Sequence, residues 1–242
     1  MLELSVNNVT KEFGTLRVLN NVSFKVNGPE LIGLIGPNGA GKTTLTNVLD
    51  GALNPTAGTV YLNGKRIDAM QPYDVAKAGL GRTFQVTKAF RRMTVLENMY
   101  VPAVAMNPSA KKAAYHEKAM DVLDFLTITH LRNEYGRALS GGQQKLLELG
   151  RLLMLDPDVI ILDEPFAGVH PKLMETIYKY IYRVNDDGKA VIIISHDMDT
   201  IFTLSKRLLV LDYGDLIADG DPDIVKNDPE VIRAYLGAEE DD

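Results

Sequence analysis

The sequence contains no cysteine, which excludes disulfides, thiolate nucleophiles and zinc–thiolate centres. It has no apolar run approaching the ~20 residues of a membrane-spanning helix. The opening stretch MLELSVNNVTKEFG lacks the charged-then-apolar layout of a secretion signal and alternates like a strand instead. A basic excess is missing too: 26 Lys and Arg stand against 32 Asp and Glu, a net charge of −6. That balance disfavours a generic nucleic-acid-binding surface, and no nucleic-acid partner is expected. The four histidines, His116, His130, His170 and His196, are too far apart in sequence to form a local metal motif. There is no internal repeat, and the only biased stretch is the acidic ending Glu239-Glu240-Asp241-Asp242, which reads as a solvated tail. What remains is a chain of 242 residues, enough for one large domain with a subdomain. It is expected to be soluble and cytoplasmic, meeting a membrane only through a partner.

The first sixty residues are β-rich. Leu2, Leu4 and Val6 alternate, and Val18, Val22, Phe24 and Val26 make a second strand-like set. Leu31–Ile35 is a short apolar run ending at Gly36, and Gly39–Asp50 reads as helical. Thr59–Asn63 is a strand closed by Asn63-Gly64. From about Thr87 to Leu155, Ala, Leu, Met, Lys and Glu dominate, and Ala110–Leu126 carries helical spacing. Strand texture returns in Val159–Leu162 and Val191–Ile194, with a helical segment Pro171–Val184 between them. Runs apolar at every residue suit strands buried on both faces, as in a parallel sheet with helices on each side. Arg207–Asp212 and Leu216–Ala218 read as a hairpin around Tyr213-Gly214. The expectation is an α/β fold: residues 1–86 and 156–242 form a core with a β-rich N-terminal subdomain, and residues 87–155 an inserted helical subdomain.

Three motifs carry chemistry. Gly36-Pro37-Asn38-Gly39-Ala40-Gly41-Lys42-Thr43 fits G-x-x-x-x-G-K-[ST] between a predicted strand and a predicted helix. Its glycines let backbone N–H groups close on phosphate oxygens at a helix N-terminus. Lys42 would reach the β- and γ-phosphates, the Thr43 hydroxyl would ligate Mg2+, and Thr44 would extend the cradle. In Val159-Ile160-Ile161-Leu162-Asp163-Glu164 two carboxylates end a buried strand, where packing asks for no charge. Asp163 suits Mg2+ beside a phosphate, and Glu164 suits a general base on the attacking water. The alternative is a helix-capping acid. Leu139-Ser140-Gly141-Gly142-Gln143 opens a helix at Gln143–Leu155 with a capping serine and exposed N–H groups. That is either plain capping or a second anion site, one naturally used on a nucleotide held by another copy.

Read together, these motifs make the chain resemble an ATP-binding cassette (ABC) ATPase over essentially its full length. The phosphate loop, the LSGGQ signature, the strand ending in Asp163-Glu164, Gln85 and His196 stand in that family's order. The resemblance implies a P-loop NTPase fold of the ABC type and ATP and Mg2+ as ligands. It also implies a head-to-tail dimer with each ATP between one chain's phosphate loop and the other's signature helix. It places Gln85 near Mg2+ and the attacking water, His196 against the γ-phosphate, and Phe13 on the adenine ring. One departure is His170, in Phe166-Ala167-Gly168-Val169-His170, where the superfamily usually has aspartate. A histidine there changes charge near neutral pH, which would make dimer closure pH-dependent.

Within the family, Gly81-Arg82-Thr83-Phe84-Gln85, Phe90–Asn98, Phe166-Ala167-Gly168 and the ending Asp228–Gly237 resemble the ATPase of the branched-chain amino acid importers. Urea and short-amide importers and the lipopolysaccharide exporter ATPase are close alternatives. A soluble iron–sulfur assembly ATPase is the non-transport one. The implied partners are permease membrane subunits, a second ABC ATPase in a homo- or heterodimer, and indirectly a substrate-binding protein. The permease groove is expected near Gln85 and Ala89–Val95, from Phe90, Met93, Val95 and Leu96; for Val95 and Leu96, core packing is the alternative.

Overall fold

The computed structural model describes residues 2–84, 89–109 and 111–236. The chain begins with two long antiparallel strands, β1 (Glu3–Phe13) and β2 (Leu16–Asn27), followed by β3 (Leu31–Ile35). The alternation of β1 and β2 breaks phase once in each. Buried residues run Leu4, Val6, then Val9, and Leu19, then Val22, Phe24, Val26. Each three-residue step sits at an asparagine with positive φ, Asn8 at 48° and Asn21 at 50°. These are bulges that return the apolar set to the same face. Leu19 is therefore a core residue here, while Val18 is only half-buried.

The first helix, α1 (Lys42–Leu49), starts three residues later than the sequence texture predicts. Gly39 and Gly41 take φ of 79° and 103°, outside the helical region, so residues 36–41 form a loop. Then come β4 (Ala57–Leu62), β5 (Lys65–Arg66), α2 (Pro72–Ala78) and β6 (Leu80–Arg82). Asn63-Gly64 turns between β4 and β5 with positive φ at both residues, the geometry a two-residue hairpin needs. Next are three packed helices, α3 (Val95–Met106), α4 (Lys112–Phe125) and α5 (Gly141–Leu155). The chain closes with β7 (Val159–Asp163), α6 (Pro171–Asp186), β8 (Ala190–Ile194), α7 (Met198–Leu204), β9 (Arg207–Asp212), β10 (Asp215–Gly220), α8 (Pro222–Val225) and α9 (Pro229–Leu236). β6, α2 and the short closing helices carry too few residues to stand out in the sequence.

Among the described residues the strands form two sheets. One is antiparallel, in the order β2-β1-β4-β5; the other runs β10-β9-β3-β8-β7-β6. In the second, β9, β3, β8, β7 and β6 are parallel and β10 returns as a hairpin on β9. Its central strands β3, β8 and β7 are buried on both faces. Val191 and Ile193 of β8 face α3–α7, while Ile192 and Ile194 face α1 and the antiparallel sheet. The helix α1 is thus sandwiched between two sheets, and its N-terminus is fixed at the end of β3. Ile192, 1% exposed, sits mid-sheet. Ile192→Ala is expected to cost about 2–5 kcal/mol, measured as a lower urea midpoint with an unchanged slope.

Candidate functional site

The parallel register brings several strand ends to one edge. Asp163 of β7 pairs with Ile194 of β8, and the Glu164 N–H donates to the Ile194 carbonyl at 2.9 Å. The loop after β3 emerges beside them. A cavity of about 360 Å³ opens there, lined by Val18, the loop from Asn38 to Thr44, Asp163, Glu164, Ile194 and His196. Residues predicted from three separate segments therefore share one space.

The loop is held by contacts only glycine permits. A Cβ on Gly36, at φ 146°, would lie 2.1 Å from the Leu211 carbonyl oxygen. The Lys42 ammonium folds over the loop, donating to the Gly36 carbonyl at 2.6 Å and the Pro37 carbonyl at 2.9 Å. Burial lowers its pKa, while the negative charges of Glu164 and Asp163 act the other way. The net arrangement is a cation facing two carboxylates across a cleft whose floor is backbone N–H groups, a site shaped for a polyphosphate.

Asp163 is held on two sides. Its Oδ2 accepts from Arg82 Nη2 at 2.9 Å, and its N–H donates to the Thr83 hydroxyl at 3.0 Å. Among the described residues, no hydrogen bond reaches its Oδ1 or the Thr43 hydroxyl. Both line the cavity, so a carboxylate oxygen and a hydroxyl are available together. These are the hard oxygen donors that Mg2+ takes alongside phosphates and water, and the residues fit that ion. In the sequence, Arg82 and Thr83 stand out only through the family resemblance. The physical signal was an arginine at the end of an otherwise apolar strand.

Glu164 is buried, with a positive φ of 49°. Its Oε1 lies 3.3 Å from Nε2 of His196. Burial raises its pKa above the ordinary glutamate value; His196 opposes that shift and Asp163 adds to it. A carboxyl with a raised folded pKa binds its proton more tightly in the native chain. Stability is therefore lost as pH climbs from the ordinary value to the raised one.

The other predicted residues lie elsewhere. Phe13 is 47% exposed, under Lys11 Nζ at 5.0 Å from its ring, and is not among the lining residues of the cavity. Val18 is. Ser140 caps α5: its hydroxyl accepts from the Gln143 N–H at 3.4 Å, and Gln143 Oε1 accepts from the Ser140 N–H at 2.9 Å. Ser140 and Gly141 are exposed and outside the cavity, while Gly142 is buried against Leu173. His170 caps α6, accepting from the Lys172 N–H. Gln85 falls outside the described residues. A second, apolar groove of about 490 Å³ is lined by residues including Tyr73, Phe84, Phe90, Pro102 and Met106. Phe90 is exposed there beneath Arg151. Val95 and Leu96 are not part of it: Val95 is fully buried and Leu96 packs on the same core, because both belong to the inner face of α3.

Replacing Glu164 by glutamine removes the penalty of burying its charge, discounted for the solvent on its cavity side. The nucleotide-free Glu164→Gln chain is expected to melt about 1–3 °C above wild type at neutral pH. Scanning calorimetry should show the gap closing below about pH 4, where an ordinary glutamate is protonated.

Comparison with known proteins agrees with this geometry. Residues 19–167 match the ABC transporter family, and residues 216–241 match a family described as branched-chain amino acid ATP-binding cassette transporter. The chain is 35% identical over 248 residues to the high-affinity branched-chain amino acid transport ATP-binding protein LivG of Escherichia coli strain K12, covering 97% of each. It superposes on the ADP conformation of an ATP-binding cassette of an ABC transporter with a TM-score of 0.84, at 35% identity and 98% and 99% coverage. It also superposes on a dimeric post-hydrolysis cassette bound to ADP and Pi, with a TM-score of 0.82, 26% identity and 90% and 98% coverage. No helix among the described residues is long and apolar enough to cross a membrane. A sheet edge shaped for a polyphosphate, and kinship running through almost the whole chain, lead to one assignment: this protein belongs to the ABC transporter family, as an ATP-binding and ATP-hydrolysing subunit.

Proposed function

We propose that this chain powers the import of branched-chain or related hydrophobic amino acids, as one ATPase of a pair docked on permease subunits at the inner face of the membrane. The observation that carries the chemistry is the single cavity shared by Lys42, Asp163, Glu164 and His196. The amino-acid class is supported by relatives named for that transport, and by the family match at residues 216–241. A substrate-binding protein would select the cargo.

In this reading the loop Gly36–Thr44 wraps the phosphates with its N–H groups, and Lys42 exchanges its two carbonyl partners for β- and γ-phosphate oxygens. Thr43, Asp163 and Gln85 hold Mg2+, whose charge offsets that of the phosphates. Glu164 accepts the proton of the attacking water; its raised pKa makes it a better base than an exposed glutamate. His196 reaches the γ-phosphate, and Phe13 stacks on the adenine. Ser140 and Gly141 are exposed at the start of α5, with Gly142 and Gln143 following them, which suits the nucleotide of an opposing ATPase subunit. A cassette related at 26% identity is dimeric.

ATP would thus need donors from both ATPase subunits, and its hydrolysis would remove the bridge. Residues 87–155 form the inserted unit that moves with closure against the core of 1–86 and 156–242. The apolar groove with Phe84 and Phe90 lies where these parts meet, and a permease helix fits its size and character.

Lys42→Ala is expected to weaken nucleotide binding by at least about tenfold, one unit of log K for a charge-assisted contact. Glu164→Gln should retain ATP binding, hydrolyse about 10²–10⁴-fold more slowly, and accumulate as a dimer with ATP on size-exclusion chromatography. Hydrolysis at the wild-type rate would remove Glu164 as the base. Pull-down of the tagged chain from detergent-solubilised native membranes should bring multi-span permeases and a second cassette. Recovery of soluble partners alone would overturn the transport role.

A further inference from the structure

Arg82, at the end of β6, is a buried cation outside the phosphate loop. Its side chain is 4% exposed. Nη1 donates to Asn47 Oδ1 at 2.7 Å and to Asp50 Oδ2 at 2.8 Å, both at the C-terminal end of α1. Nη2 donates to Asp163 Oδ2 at 2.9 Å. One planar guanidinium therefore joins the helix that starts at the phosphate loop to the carboxylate that ends β7. Its own backbone is registered against Ile161 of β7, two residues before Asp163.

The next residue completes the grip. Thr83, fully buried, donates its N–H to the Ile161 carbonyl and accepts the Asp163 N–H on its hydroxyl. The end of β6 thus fixes both the backbone and one carboxylate oxygen of Asp163. The other oxygen is left toward the cavity. Packing does not require a cation here: an apolar residue would fill the end of β6 without placing a charge between two carboxylates. A guanidinium does what packing cannot, because its rigid fork fixes where each carboxylate oxygen points.

We propose that Arg82 is a positioning residue for the metal site, orienting Asp163 so that its free oxygen meets Mg2+ at the angle that ion demands. This rests on the Mg2+ role proposed for Asp163. The same side chain lines the apolar groove, 5.4 Å from the Phe84 ring, so the metal carboxylate and the groove share one residue.

Ion geometry separates positioning from mere support. Mg2+ needs a near-ideal octahedron, whereas Ca2+ tolerates irregular ligand sets. The experiment measures ADP affinity of full-length wild type and Arg82→Gln by titration calorimetry with Mg2+, with Ca2+ and in EDTA. Positioning predicts that Arg82→Gln loses about tenfold in affinity with Mg2+, at most about twofold with Ca2+, and nothing in EDTA. Equal losses with both ions, or no loss with either, would overturn it. If Arg82→Gln does not fold, Arg82→Lys is read the same way, because one ammonium cannot fork between two carboxylates. Wild-type binding in EDTA depends on the phosphate loop rather than the metal. Its absence would count against the nucleotide-site reading instead.

Discussion

The parallel pairing of β3, β8, β7 and β6 is the constraint on which everything else hangs. Parallel strands all end at the same edge, so whatever follows them meets there. The phosphate loop follows β3, His196 follows β8, Asp163 and Glu164 end β7, and Arg82 ends β6. No loop has to reach far to build the site. The cost is that several charged and titratable groups crowd one edge. Each is answered by another: Lys42 faces the two carboxylates, Arg82 spans Asp50 and Asp163, and His196 lies against Glu164.

That crowding is also what makes the edge reactive. Asp163 and Glu164 are adjacent in sequence yet sit in different surroundings. Asp163 is held at its carboxylate by a guanidinium and at its backbone N–H by a hydroxyl. Glu164 has burial and the Asp163 charge against its ionised form, with His196 and the Ser195 hydroxyl in its favour. Two neighbouring acids with divergent surroundings can take different roles, one holding charge and one moving a proton.

Much of this could be read from residue order. β3, β7 and β8 appeared as unbroken apolar runs because both of their faces are covered, and the loop between β3 and α1 declared itself by its glycines. Other features were hidden for identifiable reasons. The bulges at Asn8 and Asn21 shift the strand alternation by one residue and promote Leu19 to the core; a strict two-residue period cannot show that. Phe13 was placed by likeness alone, and the structure sets it outside the cavity while Val18 lines it. Val95 and Leu96 illustrate a general ambiguity: an apolar residue early in a helix reads the same whether it faces a partner or its own core. β6 was invisible because three residues ending in arginine look like a loop, yet that arginine reaches the centre of the site.

The self-satisfied phosphate loop has a consequence for recognition. Lys42 already holds two loop carbonyls, and Gly36 is locked against the Leu211 carbonyl. The chain therefore meets the conformational entropy of the loop during folding and not during binding. An incoming anion trades one set of partners for another within a preformed shape. Association then draws little on ordering the protein, and more of the ligand's interaction energy appears as affinity.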